Sequence, residues 1–215
     1  MDAHEPSRGP RRPSHATITA ALALVGFVVV AVWSHRSAPF PGDEWGLRWI
    51  ADPQWNAPQI GPMVRFMDLI AEPGLAVISV VIAVLAWRRA GRREAIAVFA
   101  GACAVLVSGI AKDIIGPTPF AVEHDLFWGK PGLPSGHVVW AVTFYGTIGW
   151  IAWRRRYREL AVACLAVVLA MGPARVLGGV HLVSDVVAGY LFGLAWAAAV
   201  IIWLERARRP VTDAT

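Results

Sequence analysis

Six apolar runs, separated by short polar stretches, constrain this chain more than any other feature. They are Ala16 to Trp33, Ala71 to Trp87, Ala95 to Ala111, Val138 to Trp153, Leu160 to about Pro173, and Val183 to Leu204. A helix rises about 1.5 Å per residue and the hydrocarbon of a bilayer is about 30 Å thick, so runs of this order suit single crossings. Backbone polar groups in hydrocarbon must be satisfied within the segment, which selects helices. The pattern predicts an all-α integral membrane protein with six transmembrane helices. Composition agrees: 56% of the 215 residues are hydrophobic and only 16% are charged, too apolar for an ordinary soluble domain.

The positive charge is grouped. Arg8, Arg11 and Arg12 precede the first run; Arg88, Arg89, Arg92 and Arg93 follow the second; Arg154, Arg155, Arg156 and Arg158 follow the fourth; Arg206, Arg208 and Arg209 follow the sixth. That alternation places both termini in the cytoplasm of a cell (inner) membrane protein. The formal charge of +5 is therefore topogenic, and no nucleic-acid partner is expected. Trp33 at an outer end and Trp87, Trp153 and Trp203 at inner ends resemble an interfacial belt. Residues 1–16 read as a disordered cytoplasmic tail, 17–205 as the six-span domain and 206–215 as a second tail. A cleaved signal peptide is the alternative for the first run, but Arg36 stands where cleavage prefers a small residue. Between the first two runs, Trp45, Trp49 and Ile50 share a helical face, so Asp43 to Ala51 is expected to form a periplasmic interfacial helix. Beyond Pro62, the residues Met63, Phe66, Met67 and Ile70 have helical spacing. Cys103 and Cys164 lie inside apolar runs and read as small buried hydrophobes.

The same topology puts Lys112, the Gly116–His137 loop, Arg175, His181 and Asp185 on the non-cytoplasmic side, at span ends. His181 and Asp185 are four residues apart, so a helix would put them on one face. Arg175 precedes Gly178-Gly179, a break that lets the chain turn back towards His181. Pro134-Ser135-Gly136-His137 closes the outer loop. There Ser135 and Gly136 offer backbone N–H groups at a helix start, Ser135 adds a hydroxyl, and His137 adds a group that titrates near neutrality. Each stretch also has a plain reading, as polar residues at a helix mouth or as a helix cap. Together they supply two histidines, one orienting carboxylate, two fixed cations and an anion-binding turn. That inventory suits phosphoryl transfer through a covalent histidine.

These stretches resemble the motifs of the type 2 phosphatidic acid phosphatase superfamily, which also contains the soluble vanadium haloperoxidases. The third motif, Ser-Arg, five residues, His, three residues, Asp, is matched from Ala174-Arg175 to His181 and Asp185, with only the leading Ser changed. The second, Pro-Ser-Gly-His, is intact at Pro134 to His137. The first, Lys, six residues, Arg-Pro, is matched by Lys112 and Pro119, one residue short and with Thr118 in the arginine position. The resemblance implies a membrane phosphatase acting on a lipid phosphate or diphosphate without cofactor or metal. It implies His181 as nucleophile, Asp185 as its orienting carboxylate and His137 as general acid. Lys112, Ser135, Gly136, Arg175 and, in the arginine position, Thr118 would hold the phosphate. Thr118 brings no charge, which leaves three alternatives open. Another cation, Lys130 or Arg65, substitutes; the substrate carries less charge, a monophosphate in preference to a diphosphate; or the protein is a weak or inactive lipid-phosphate binder or transporter.

Overall fold

The computed structural model describes residues 14–36, 39–51, 73–123 and 132–206, and no strand occurs among them. In chain order the helices are α1 (His15–Ser34), α2 (Asp43–Ala51), α3 (Pro73–Arg89), α4 (Arg92–Ile115) and α5 (Pro119–Glu123). A rod follows, made of α6 (Gly136–Trp140), a π-helical turn (Ala141–Tyr145) and α7 (Gly146–Arg154). Then come α8 (Arg158–Leu177) and α9 (Val183–Arg206). Four of these, α1, α4, α8 and α9, are long and apolar enough to cross a membrane. α3 has 17 residues, and the rod is interrupted by its π turn, so neither reaches that length as one regular helix. Residues 1–13 and 207–215 of the terminal tails, the stretch around Met63 to Ile70 with Arg65, and Lys130 lie outside the described residues.

The bundle is built round the rod and α9. Trp140 and Phe144 of the rod stack with ring centroids 4.9 Å apart. They pack with Ala97 and Val98 of α4 and Val200 and Leu204 of α9. Small residues bring the backbones together, as apolar surroundings favour. A Cβ added at Gly193 would lie 2.7 Å from the Val142 Cβ, and one at Gly189 would lie 2.9 Å from the Val138 Cβ. α1 buries only the stripe Ala23, Phe27, Val30 and Ser34, with Phe27 edge-on to Phe192 of α9 at 5.4 Å. Its remaining faces expose Leu22, Val25, Val28, Val29 and Val32, as suits a helix in lipid.

The π turn carries one threonine hydroxyl and is followed by another. The Thr143 Oγ1 lies 2.6 Å from the Gly101 carbonyl of α4 and 2.9 Å from that of Val139, and the Thr147 hydroxyl donates to the Thr143 carbonyl at 2.6 Å. Such turns leave backbone carbonyls loosely paired, and threonine hydroxyls answer that need.

The described helices have two chemically distinct ends. At one, Arg155 from the turn after α7 donates to the Ala90 carbonyl at 2.7 Å and meets Glu94 at 3.5 Å, joining two arginine-rich turns. At the other, α4 and α8 finish while α6 and α9 begin. The sequence reading ended the third run before Lys112, but α4 continues to Ile115 and stops at Gly116, φ +74°. Lys112 therefore sits in a helical last turn.

Pro173 does not end α8, contrary to the expectation of a span finishing there. α8 runs on to Leu177 and carries Arg175 in its last turn. Proline removes the N–H that would have served the carbonyl four residues earlier, that of Leu169. Tyr190 of α9 fills this gap. Its hydroxyl lies 2.9 Å from the Val168 carbonyl and 3.2 Å from that of Leu169, and accepts from the Gly172 N–H at 3.1 Å. Gly172 makes room, since a Cβ there would sit 2.6 Å from the Tyr190 hydroxyl. Tyr190→Phe leaves these groups without that partner. It should lower stability by about 1–3 kcal/mol, seen as a lower thermal midpoint of the purified protein in detergent. An unchanged midpoint would show that the hydroxyl carries no such role.

Candidate active site

The chain turns between α8 and α9 through paired glycines. Gly178 caps α8 and Gly179 adopts φ +70°. The Val180 N–H returns to the Arg175 carbonyl at 3.2 Å and the Gly179 N–H to that of Val176 at 3.0 Å. This is a Schellman turn, which requires a left-handed residue that glycine adopts without penalty. It leaves Arg175, buried at 5% exposure, at the end of α8 and His181 just before α9.

His181 and Asp185 do meet, with Nδ1 3.1 Å from Oδ2. They do so differently from the sequence expectation of one helical face. α9 starts at Val183, so His181 lies in the turn and Asp185 reaches back from the first helical turn. The same Oδ2 accepts the Leu182 N–H at 3.3 Å, one half of a capping box. One carboxylate oxygen thus stabilises the helix start and the imidazole together. An ionised carboxylate only accepts, so a neutral imidazole bonded to one through Nδ1 carries its proton there and its lone pair on Nε2.

The second motif is fastened to the third by the backbone. The Ser135 N–H donates to the Asp185 carbonyl at 2.9 Å. This corrects the sequence reading, in which that N–H was free for an anion. Ser135 is the N-cap residue of α6, yet its side chain makes no capping bond. Its hydroxyl is buried and has no hydrogen-bond partner among the described residues. The plain helix-cap reading of Ser135 therefore does not account for the hydroxyl. Gly136 follows as the first residue of α6 and packs near Val105 and Ser108 of α4. His137, half-buried, stands in the first turn of α6.

The first motif reaches the same place. A Cβ at Gly132, just before the second motif, would lie 3.4 Å from the Lys112 Cγ and 3.3 Å from the Gly116 carbonyl. Thr118 is 1% exposed, and its hydroxyl accepts the Ala121 N–H at 3.3 Å, at the start of the five-residue α5. The arginine position is thus occupied by a buried helix cap. Lys130 and Arg65 lie outside the described residues, so neither is placed beside it.

Four helix ends therefore converge. α6 and α9 offer N-termini, whose dipoles favour an anion, and α4 and α8 offer C-termini, which carry the cations Lys112 and Arg175. Among the described residues, no group of three or more His, Cys, Asp or Glu is arranged to hold a metal ion.

One residue beside this site was not anticipated from sequence. Asp43, the first residue of α2, is 2% exposed, and its Oδ1 accepts the Ser184 N–H at 2.8 Å. The contact spans 141 residues of sequence, so no local signal announces it. α2 itself occupies the expected range, Asp43–Ala51, with Trp45 exposed.

Long apolar helices packed through small residues, with a part-buried His–Asp pair at one end and arginine-rich turns at the other, define the class: a multi-pass helical membrane protein. The chain belongs to the PAP2 superfamily: the family model matches residues 93–209, which contain all three motifs. Its fold is similar to the crystal structure of the first transmembrane PAP2 type phosphatidylglycerolphosphate phosphatase from Bacillus subtilis. The TM-score is 0.70, with 89% of this chain and 98% of that chain covered at 19% identity. At that identity the likeness speaks for the fold. No curated protein matches the chain in sequence.

Burial pushes the Asp43 carboxyl from the ordinary 3.8 up to about 6, opposed by the Ser184 hydrogen bonds and reinforced by the charge on Asp185. A carboxyl raised on folding binds more protons in the folded state between these values. Its stabilising share is present below about pH 4 and is lost as pH rises through about 6. Two units correspond to roughly 3 kcal/mol. The stability difference between wild type and Asp43→Asn should change by that order between pH 4 and pH 6.5, falling for wild type. Parallel pH–stability curves would contradict this.

Proposed function

We propose that this protein is a phosphatase that removes phosphate from a lipid phosphate or diphosphate through a phosphohistidine on His181. The observation that carries this reading is the His181–Asp185 pair, tied by the Ser135–Asp185 backbone bond to a turn whose buried hydroxyl has no partner among the described residues. In the first step, His181 Nε2 attacks phosphorus and the P–O bond to the lipid breaks. His137 gives its proton to the departing oxygen, releasing the lipid alcohol or lipid monophosphate. Asp185 stabilises the positive charge that develops on the imidazole. In the second step, water loses a proton to His137 and attacks phosphorus. The P–N bond breaks, inorganic phosphate leaves, and both histidines return to their starting states.

Lys112, Arg175, the Ser135 hydroxyl and the Gly136 backbone are the proposed phosphate donors, with charge supplied at the equatorial oxygens. Thr118 is the weakest member of that set, because it brings no charge and is buried where its hydroxyl caps α5. Substrates in keeping with the site are polyprenyl (di)phosphates, phosphatidic acid and phosphatidylglycerol phosphate. The last is the substrate named for the similar Bacillus subtilis structure. The lipid enters from the outer leaflet of a six-span protein whose arginine-rich end faces the cytoplasm. The separation of the arginine turns from the motif residues supports that orientation.

Purified wild type should release inorganic phosphate from a short-chain lipid phosphate, and vanadate should inhibit as a mimic of the five-coordinate transition state. His181→Ala should abolish the release. Wild type and His181→Ala equally inert across the three lipid classes would defeat the enzyme reading. The second reading, a lipid-phosphate binder without turnover, rests on Thr118 being a buried, uncharged cap. It is favoured if vanadate binds tightly while no phosphate is released. A green fluorescent protein fused after Thr215 should fluoresce in bacteria, as it does only when the C-terminus is cytoplasmic; a dark fusion in a well-expressed membrane protein would invert the topology.

A further inference from the structure

We infer that Asp43 is a positioning residue for the His181–Asp185 pair, acting as the missing N-cap of α9 from a different part of the chain; this rests on the phosphatase reading above. Counting from the start of α9 at Val183, the N-cap position falls on Leu182, whose side chain has no acceptor. A helix start normally uses a side-chain oxygen at that position to accept the N–H two or three residues on. Here the Asp43 Oδ1 accepts the Ser184 N–H at 2.8 Å, the bond Leu182 cannot make. Asp185 supplies the reciprocal half by accepting the Leu182 N–H. The capping box is therefore split between two elements, and its second member is the carboxylate that orients His181.

The packing around Asp43 is built for this contact. Gly42, at φ +98°, lies against Val183, and a Cβ there would be 3.2 Å from the Val183 Cγ1. Gly46, one turn further along α2, faces Val176 and Val183, and a Cβ at Gly46 would lie 3.6 Å from a methyl of each. The glycine face of α2 thus bridges the last turn of α8 and the first turn of α9, across the Arg175–His181 turn. With Asp43 in place, the α9 start has its N–H groups answered at Leu182 and Ser184. Without it, the first turn loses an anchor, and the Asp185 carboxylate that holds His181 gains freedom.

The test uses full-length protein in lipid nanodiscs, with short-chain phosphatidic acid for kcat and KM and vanadate for site affinity. Asp43→Ala removes the acceptor; Asp43→Asn keeps an acceptor oxygen and removes the charge. The expected result is kcat about tenfold or more lower in Asp43→Ala, KM within about threefold, and most of the kcat restored in Asp43→Asn. Both variants within twofold of wild type would overturn the inference. Asp43→Asn as impaired as Asp43→Ala would overturn the capping account in favour of charge. If Asp43→Ala does not fold, Asp43→Ser, with its shorter acceptor, replaces it: an intermediate kcat supports the inference and a wild-type kcat overturns it. Inactive wild type would count against the phosphatase reading alone. Vanadate affinity then decides on Asp43, because binding needs an ordered site and no turnover: a tenfold loss in Asp43→Ala that is restored in Asp43→Asn supports positioning, and equal affinities overturn it.

Discussion

The backbone bond from Ser135 to the Asp185 carbonyl holds the candidate site together. In apolar surroundings every helix end brings N–H or C=O groups that need partners, and each one left over is costly. This bond answers one such group while joining the starts of α6 and α9. Gly189 makes the junction possible, since a Cβ there would lie 3.1 Å from the Ser135 carbonyl. Because the N–H is engaged, the turn is held in place and the Ser135 hydroxyl is left for other work.

The same economy recurs around the site. Asp185 serves the Leu182 N–H and the His181 ring with one oxygen. Asp43 serves Ser184 from across the fold. Tyr190 answers carbonyls around Pro173, so that α8 continues far enough to carry Arg175. Structural satisfaction and chemical placement are therefore performed by the same atoms. A substitution at these positions acts on stability and on geometry together, which is why kcat and KM separate roles better than activity alone.

Thr118 illustrates how a departure from a family pattern is absorbed. An arginine there would need room and a counter-charge; threonine is buried and caps α5. The local backbone around 116–123 is arranged for a short polar side chain. Reinstating the arginine would disturb that cap as well as add charge, so the position is part of the local structure and not an open slot.

Hydropathy, arginine spacing and the Trp45, Trp49 and Ile50 face determined the helical class, the four long apolar helices, the α2 range and the segregation of arginines from motif residues, because those properties are local and periodic. Residue spacing likewise marked His137, His181, Asp185, Lys112 and Arg175 as one set, since the three motifs are short and contiguous. What required tertiary structure was every contact made at long range. The Ser135–Asp185 bond, the Asp43 cap and the Tyr190 bridge over Pro173 link segments far apart in sequence, and no period or propensity encodes such pairs. His181 and Asp185, which spacing alone would set on one helical face, instead occupy a turn and a capped helix start, because Gly178-Gly179 and the distant Asp43 decide where α9 begins. The residue types were legible from the chain; which oxygen meets which N–H was decided only when helix ends from four parts of it were brought together.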